Sequence, residues 1–239
     1  MIEYQKIGIS VSMIAVPMGI WCICQARPFF AKAKRIKNTP TSKIGELTEG
    51  TREIKGRITE RGKKFRAPMT EKPCVYYEFT VTQKAGDDGA STIIHDKTIA
   101  RCHVDDGTGE ASINLDGAEL VLDTVRHESS GTLNSASPRL EAILARYKKS
   151  SKGWVFNRDL QYTETILEVG DELYILGPAN MVKGNVWFKA SSGQPLIVTD
   201  KSERMLLENC TTKALLYTFG GVILLVGGVV AAGVAWVSL

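Results

Sequence analysis

From Ala214 to Leu239 the chain reads ALLYTFGGVILLVGGVVAAGVAWVSL, 26 residues without one charged side chain. At 1.5 Å of rise per residue, about 20 suffice to cross the hydrocarbon core of a bilayer. A buried helix of a soluble domain would keep polar residues on one face, whereas this segment is apolar all round. The run therefore predicts a transmembrane helix over 214–239. A second apolar run, IGISVSMIAVPMGIWCIC at Ile7–Cys24, is 18 residues long with Pro17 in its middle. Proline is tolerated in membrane helices because neighbours re-satisfy the carbonyl it frees. The rival reading is a cleaved signal peptide. Cys24, Gln25 and Ala26 ahead of Arg27 make a poor small-x-small cleavage site, and Lys6 is the one basic residue before the run. An uncleaved anchor at 7–24, behind a short tail at 1–6, is the expectation.

Charge orients the two runs. Arg27, Lys32, Lys34, Arg35, Lys37 and Lys43 follow the first with no acidic residue until Glu46, and Lys201, Arg204 and Lys213 precede the second. Lys and Arg near membrane ends mark the cytoplasmic side. Both runs agree on an integral, two-pass protein with its intervening domain in the cytoplasm and both termini outside. Arg27, Lys32, Lys34, Arg35 and Lys37 are also candidates for contact with anionic lipid headgroups, at about 1 kcal/mol per basic residue near the surface. The plainer reading makes them a topology signal only. Residues 1–43 hold seven Lys/Arg and one Glu, a net of +6; the whole chain is +4, so the remainder carries −2. A slightly acidic domain argues against a nucleic-acid partner, which wants a basic face on the folded part. Outside the first apolar run the cysteines are Cys74, Cys102 and Cys210, an odd number that fits a reducing compartment better than a disulfide framework.

Residues 25–43 show little periodicity and read as a basic juxtamembrane linker. Strand signals then recur at short intervals through 44–213. TREIKGRIT (51–59) alternates around Ile54 and Ile58, and CVYYEFTVT (74–82) is β-branched and aromatic after Pro73. KTIARCHV (97–104) and EASINL (110–115) flank DDGTG, a cluster suited to a hairpin turn. LQYTETILEV, DELYILGPA, VWFKA and LIVTD follow, separated by turn residues. Many short strands at this spacing indicate a small barrel or sandwich. One helix is predicted where Ser137-Pro138 precedes RLEAILARYKK, with Leu140, Ile143, Leu144 and Tyr147 at helical spacing. A second runs from Ser202 to Lys213 into the apolar run, and 124–137 reads as a polar loop. About 170 residues lie between the anchors, enough for one core.

Four segments in this order carry a resemblance: CVYYEFTV after a proline, CHVDDGTGEASINLDGA, YTETILEVGDELYILG, and PLIVTDKSERMLLENC leading into an apolar helix. Together they resemble the GIDE domain, found between two membrane helices in mitochondrial-anchored ubiquitin ligases and in stand-alone prokaryotic relatives. The resemblance covers roughly residues 44–239. It implies a mostly β fold, an OB-like small β-barrel with one or two helices between the transmembrane helices, serving as a binding module. The ligases carry a RING, which needs eight Cys/His ligands for two zinc ions. Five Cys and three His are present here, two of the Cys in the apolar run, so a RING-less, prokaryotic-type member is expected.

Candidate sites are few. Cys102 and His103 are neighbours on a predicted strand, so they point to opposite faces and do not share a metal readily. His95 and His127 lie in predicted loops without a paired ligand. Cys74 with a distant His would be a cysteine hydrolase, but a residue opening a half-buried strand packs more often than it reacts. Asp105 to Glu110 lacks the spaced oxygen ligands of a calcium loop and reads as a turn. Along 74–82, Val75, Tyr77, Phe79 and Val81 share the predicted core face, which leaves Tyr76 as the one ring available for base stacking, next to Glu78. Gly227/Ala231 and Gly228/Ala232 are small-xxx-small pairs, suited either to packing on the N-terminal helix or to a homo-oligomer through the C-terminal helix. The expectation is a non-catalytic binding or scaffold module with no catalytic, metal or cofactor residues, whose partners are membrane lipid and a protein. The alternative is a ligase-related protein or a recruiter of an enzyme.

Overall fold

In the computed structural model, which describes residues 2–85, 89–153 and 157–237, the chain divides into two units, 1–39 with 202–239 and 40–201. The first unit is a pair of helices, α1 (Ile2–Asn38) and α3 (Glu203–Val237). Both are long and apolar enough to cross a membrane. They run antiparallel, since Phe29 stacks on Tyr217 at 5.7 Å, Gly19 meets Gly221, and Val16 meets Gly228. On α3 the small residues Ala214, Gly221, Gly228 and Ala235 recur every seven positions and are all buried. A seven-residue repeat keeps one seam facing a partner helix, and small side chains let the backbones close in. A Cβ added to Gly221 would lie 2.7 Å from the Gly19 carbonyl oxygen and 2.6 Å from Ile23 Cγ1.

Gly227, by contrast, has no neighbour within 4 Å of such a Cβ. Of the two small-residue pairs in the sequence, Gly228 thus serves the contact within the chain, and the face of Gly227 is open. Replacing Gly221 by Leu is expected to lower the thermal midpoint of the detergent-purified chain by several degrees, because overpacking costs about 1–3 kcal/mol. Gly227→Leu should leave it in place. Equal midpoints for the two variants would contradict this seam.

The stretch 25–43, expected to be a linker, is helical as far as Asn38. Cys22, Ala26, Phe29, Ala33 and Ile36 step along α1 by three or four residues, and all are buried or half-buried. That spacing continues the helix, but the interspersed charges dilute it in the sequence.

In the second unit, β1 (Gly50–Ile58), β5 (Cys102–Asp105), β6 (Glu110–Asn114), β11 (Asn185–Lys189) and β10 (Glu172–Val182) pair in that order. Pairing of β1 with β10 closes the ring. Only the contact between β6 and β11 is parallel within the ring. Counted along the chain the ring order is 1-2-3-5-4, the Greek-key barrel of the OB fold. Strand alternation fills its interior with Ile54, Ile58, Cys102, Val104, Ile113, Ile175 and Phe188. β12 (Ile197–Thr199) and β7 (Glu119–Val121) extend the sheet beside β10.

Two long excursions leave the barrel and meet. Residues 59–101 supply β2 (Phe65–Arg66), β3 (Pro73–Ala85) and β4 (Gly89–Ile99); residues 115–171 supply β8 (Arg126–Ser130), α2 (Pro138–Arg146) and β9 (Leu160–Glu168). They join as a sheet of order β2-β3-β9-β8, with β4 also on β3. α2 starts where Ser137 Oγ accepts the Leu140 N–H at 3.3 Å. It lays Leu140, Ile143 and Leu144 against Phe79, Val81, Leu160 and Tyr162, a second core where one was expected. The pairing of β3 with β9 that creates it joins segments some eighty residues apart, for example Thr80 with Thr163.

Two local expectations are corrected. Residues 126–130, read as loop, form edge strand β8 on β9. Its RHESS sequence is polar on both faces because an edge strand buries little, Ser130 being held by the Tyr162 hydroxyl at 3.0 Å. Tyr76 is not an exposed ring. A bulge between Cys74 and Tyr76 breaks the alternation of β3 and turns the ring into the barrel core, at 1% exposure.

Candidate recognition pocket on the barrel face

Every second residue of a barrel strand faces outward. On β5, β6 and β11 the register aligns three such residues in a row: His103 lies opposite Ser112, and Ser112 opposite Trp187. Glu110 and Asn185 lie two positions along on the same outward faces of β6 and β11. Arg61 and Arg101 stand at the two roots of the first excursion, which the closed barrel brings together. With these residues as its wall, the pocket has a volume of about 280 Å³.

Its polar groups are arranged in pairs. The Arg101 guanidinium lies over the Trp187 ring, 4.4 Å from the centroid. Arg61 Nη1 donates to Glu110 Oε2 at 2.7 Å, and the Thr59 hydroxyl donates to Glu110 Oε1 at 3.3 Å. Ser112 Oγ is 3.2 Å from His103 Nδ1, and Glu110 Oε1 is 3.7 Å from the same nitrogen. Burial pushes the His103 imidazole below its ordinary range; Glu110 pulls it up, and Arg61 and Arg101 push it down again. The ring is therefore neutral at pH 7, and two guanidiniums face one carboxylate. Gly62 sits at φ +105°, and a Cβ there would lie 3.2 Å from the Arg101 carbonyl oxygen, so the turn after Arg61 requires glycine for both reasons.

The residues singled out in the sequence fall elsewhere or in part here. Cys102 and His103 do point to opposite faces, Cys102 into the barrel core and His103 into the pocket. Burial pushes the Cys102 thiol up to about 12 and the Cys74 thiol up to about 11, so neither supplies a thiolate nucleophile at neutral pH. His95, expected in a loop, lies on β4 opposite Thr80, because β4 extends the long hairpin with β3; it bonds Glu78 at 2.8 Å, and Glu78 accepts the Tyr76 hydroxyl at 2.7 Å. His127 is exposed on β8. Among the described residues no group of three His, Cys, Asp or Glu is placed to hold a metal ion.

The two aspartates of the 105–110 turn, Asp105 and Asp106, accept backbone N–H groups. Asp106 accepts N–H bonds from Ile44 at 2.8 Å, Thr108 at 2.9 Å and Gly109 at 3.2 Å. Burial alone would raise its carboxyl, but the bonds from Ile44, Thr108 and Gly109 together hold it below the usual range. Along α1, Arg27, Lys34 and Lys37 are exposed, and Lys32 and Arg35 half-buried.

Sequence reasoning missed Arg61, Arg101, Glu110, Ser112, Asn185 and Trp187 as a group. One signal was present: in VWFKA the inward Val186 and Phe188 force Trp187 outward, and a large ring facing solvent from a barrel strand marks a contact surface. No local pattern announces Arg61 and Arg101, forty residues apart.

Against known proteins, the family described as "GIDE: E3 Ubiquitin ligase" matches residues 94–233, more than half of the chain. No curated protein and no solved structure matches.

Proposed function

The chain belongs to the GIDE family, and on that footing we propose that it is a two-pass membrane protein whose barrel is a binding and scaffold module without chemistry of its own. The domain lies in the cytoplasm with both termini outside, and the basic residues Arg27, Lys32, Lys34, Arg35 and Lys37 meet anionic headgroups. The observation that carries the binding role is the outward pocket in which Arg101 is laid on Trp187 beside Arg61 and His103. It lies on the strand 2–3 face of an OB barrel, next to the loops through which OB folds take their ligands. The two long apolar helices and the basic residues flanking them support the anchoring and its orientation. The family's description favours a second reading, in which the module recruits a ubiquitin-transferring enzyme.

A photocrosslinking side chain at Ser112 or Asn185, introduced into the full chain in native membranes, tests the binding role. A discrete crosslinked protein is expected from both positions, and its absence from both would sink the reading. If the captured protein is itself a ligase or a ubiquitin carrier, the recruiter reading takes over. Orientation is checked at Leu133, which is fully exposed. Leu133→Cys should resist a membrane-impermeant maleimide in intact cells and react after permeabilisation; labelling of intact cells would reverse the topology.

A further inference from the structure

Building on the binding role just proposed, we propose that the pocket takes the carboxylate of an acidic side chain from an extended peptide segment of a partner protein, with an apolar residue beside it. Charge sets the first constraint. Arg61 is already matched by Glu110 at 2.7 Å, so one positive charge, that of Arg101, is in surplus. Among the described residues Arg101 has no carboxylate partner. Its guanidinium carbon lies over the Trp187 ring, 4.4 Å from the centroid, a cation–π contact that holds the N–H fork at the pocket wall. A planar fork with one surplus charge matches a planar monoanion, whose two oxygens can be taken together. A phosphate ester near two negative charges would face Glu110 across the same small space. A nucleic-acid strand would find the Trp187 face covered by Arg101 and the phosphates opposed by Glu110.

Size and surroundings set the second. At about 280 Å³ the pocket is smaller than a site for a drug-sized molecule, and it accepts the end of one side chain. The hairpin from β10 to β11 turns at Lys183 and Gly184, both at positive φ (51° and 78°), the geometry of a tight two-residue turn. That turn holds Val182 directly opposite Asn185 on the outer face, and Val182 is 46% exposed. An exposed valine one strand away from the pocket wall serves no free ion. It serves a neighbour of the acidic residue on the same peptide.

The test uses the full chain in nonionic detergent and a fluorescein-labelled peptide, Gly-Ser-Gly-Leu-Glu-Leu-Gly-Ser-Gly, followed by fluorescence anisotropy. Saturable binding is expected, with the analogue carrying Gln for Glu about 10-fold weaker or more, the loss of one charge-assisted pair. Arg101→Gln should weaken the Glu peptide by a similar factor and abolish the preference over Gln. Val182→Ser should weaken both peptides alike, by several-fold. Arg158→Gln, at an exposed position outside the pocket, should change neither, and all variants should keep the parent's circular dichroism. Equal affinity for the Glu and Gln peptides overturns the proposal, as does an absence of saturation at about millimolar chain. Tighter binding of a phosphoserine analogue or a labelled single-stranded DNA nonamer would overturn it in favour of a phosphate ligand. A partner photocrosslinked from Ser112 or Asn185 in membranes would still leave the scaffold reading standing, so the two failures are told apart.

Discussion

Phe188→Ala is expected to cost about 3–5 kcal/mol of domain stability, the largest effect of any single truncation considered. Phe188 is fully buried at the centre of the barrel, opposite Ala179 of β10 and Ile113 of β6. It therefore touches the two strands between which β11 closes the ring. Ala179 is too small to fill the space a missing ring leaves, and a barrel collapses inward poorly because its strands are tied on both sides. The thermal midpoint should fall by roughly 6–20 °C, from about 2–4 °C per kcal/mol for a unit of this size. Peptide or partner capture at Trp187 should weaken as well, although Phe188 points away from the pocket, because the same strand carries both side chains on opposite faces. A midpoint within about 2 °C of the parent would show that β11 does not hold the barrel closed.

Glu164→Ala is expected to cost about 2–4 kcal/mol, through hydrogen bonds and not through volume. Glu164 is fully buried on β9, and its two carboxyl oxygens accept the backbone N–H groups of Met69 at 2.5 Å and Thr70 at 2.9 Å. Arg139 on α2 donates to the Met69 carbonyl at 2.8 Å from the other side. These bonds pin the 67–72 turn over the second core, where Met69 packs with α2. Removing the carboxyl leaves the buried Met69 N–H and the half-buried Thr70 N–H without an acceptor. Hydrogen exchange of the Met69 and Thr70 amides should accelerate by more than ten-fold, while amides of the barrel strands keep their rates. Glu164→Gln retains one acceptor oxygen and should lose about half as much. Unchanged protection at both amides in Glu164→Ala would remove the turn's dependence on this side chain.

The two variants separate the two cores. Phe188 tests the barrel, on whose outer face the candidate pocket lies, and Glu164 tests the sheet built from the excursions. The excursions matter to the pocket through their roots, since Arg61 and Arg101 are the residues at which the first one departs and returns.

What the sequence determined by itself was whatever depends on near neighbours along the chain. The apolar runs, most of the strand positions, the capped helix after Ser137 and the 105–110 turn follow from spacings of one to seven residues, and each is present. The outward direction of Trp187 was equally legible from Val186 and Phe188. Only the tertiary structure decided the rest. The alternation of β3 broke at a bulge that depends on its partner β9, so Tyr76 turned inward. The polar strand β8 took its place because β9 offered an unpaired edge, and α1 kept its helix past Cys24 because its buried face had α3 to pack on. The pocket required the closure of β1 on β10 and the parallel contact of β6 with β11. Those pairings join residues 115–129 and 75 positions apart, and the entropy of closing such loops is repaid by the barrel core as a whole, not by any motif that a local window can contain.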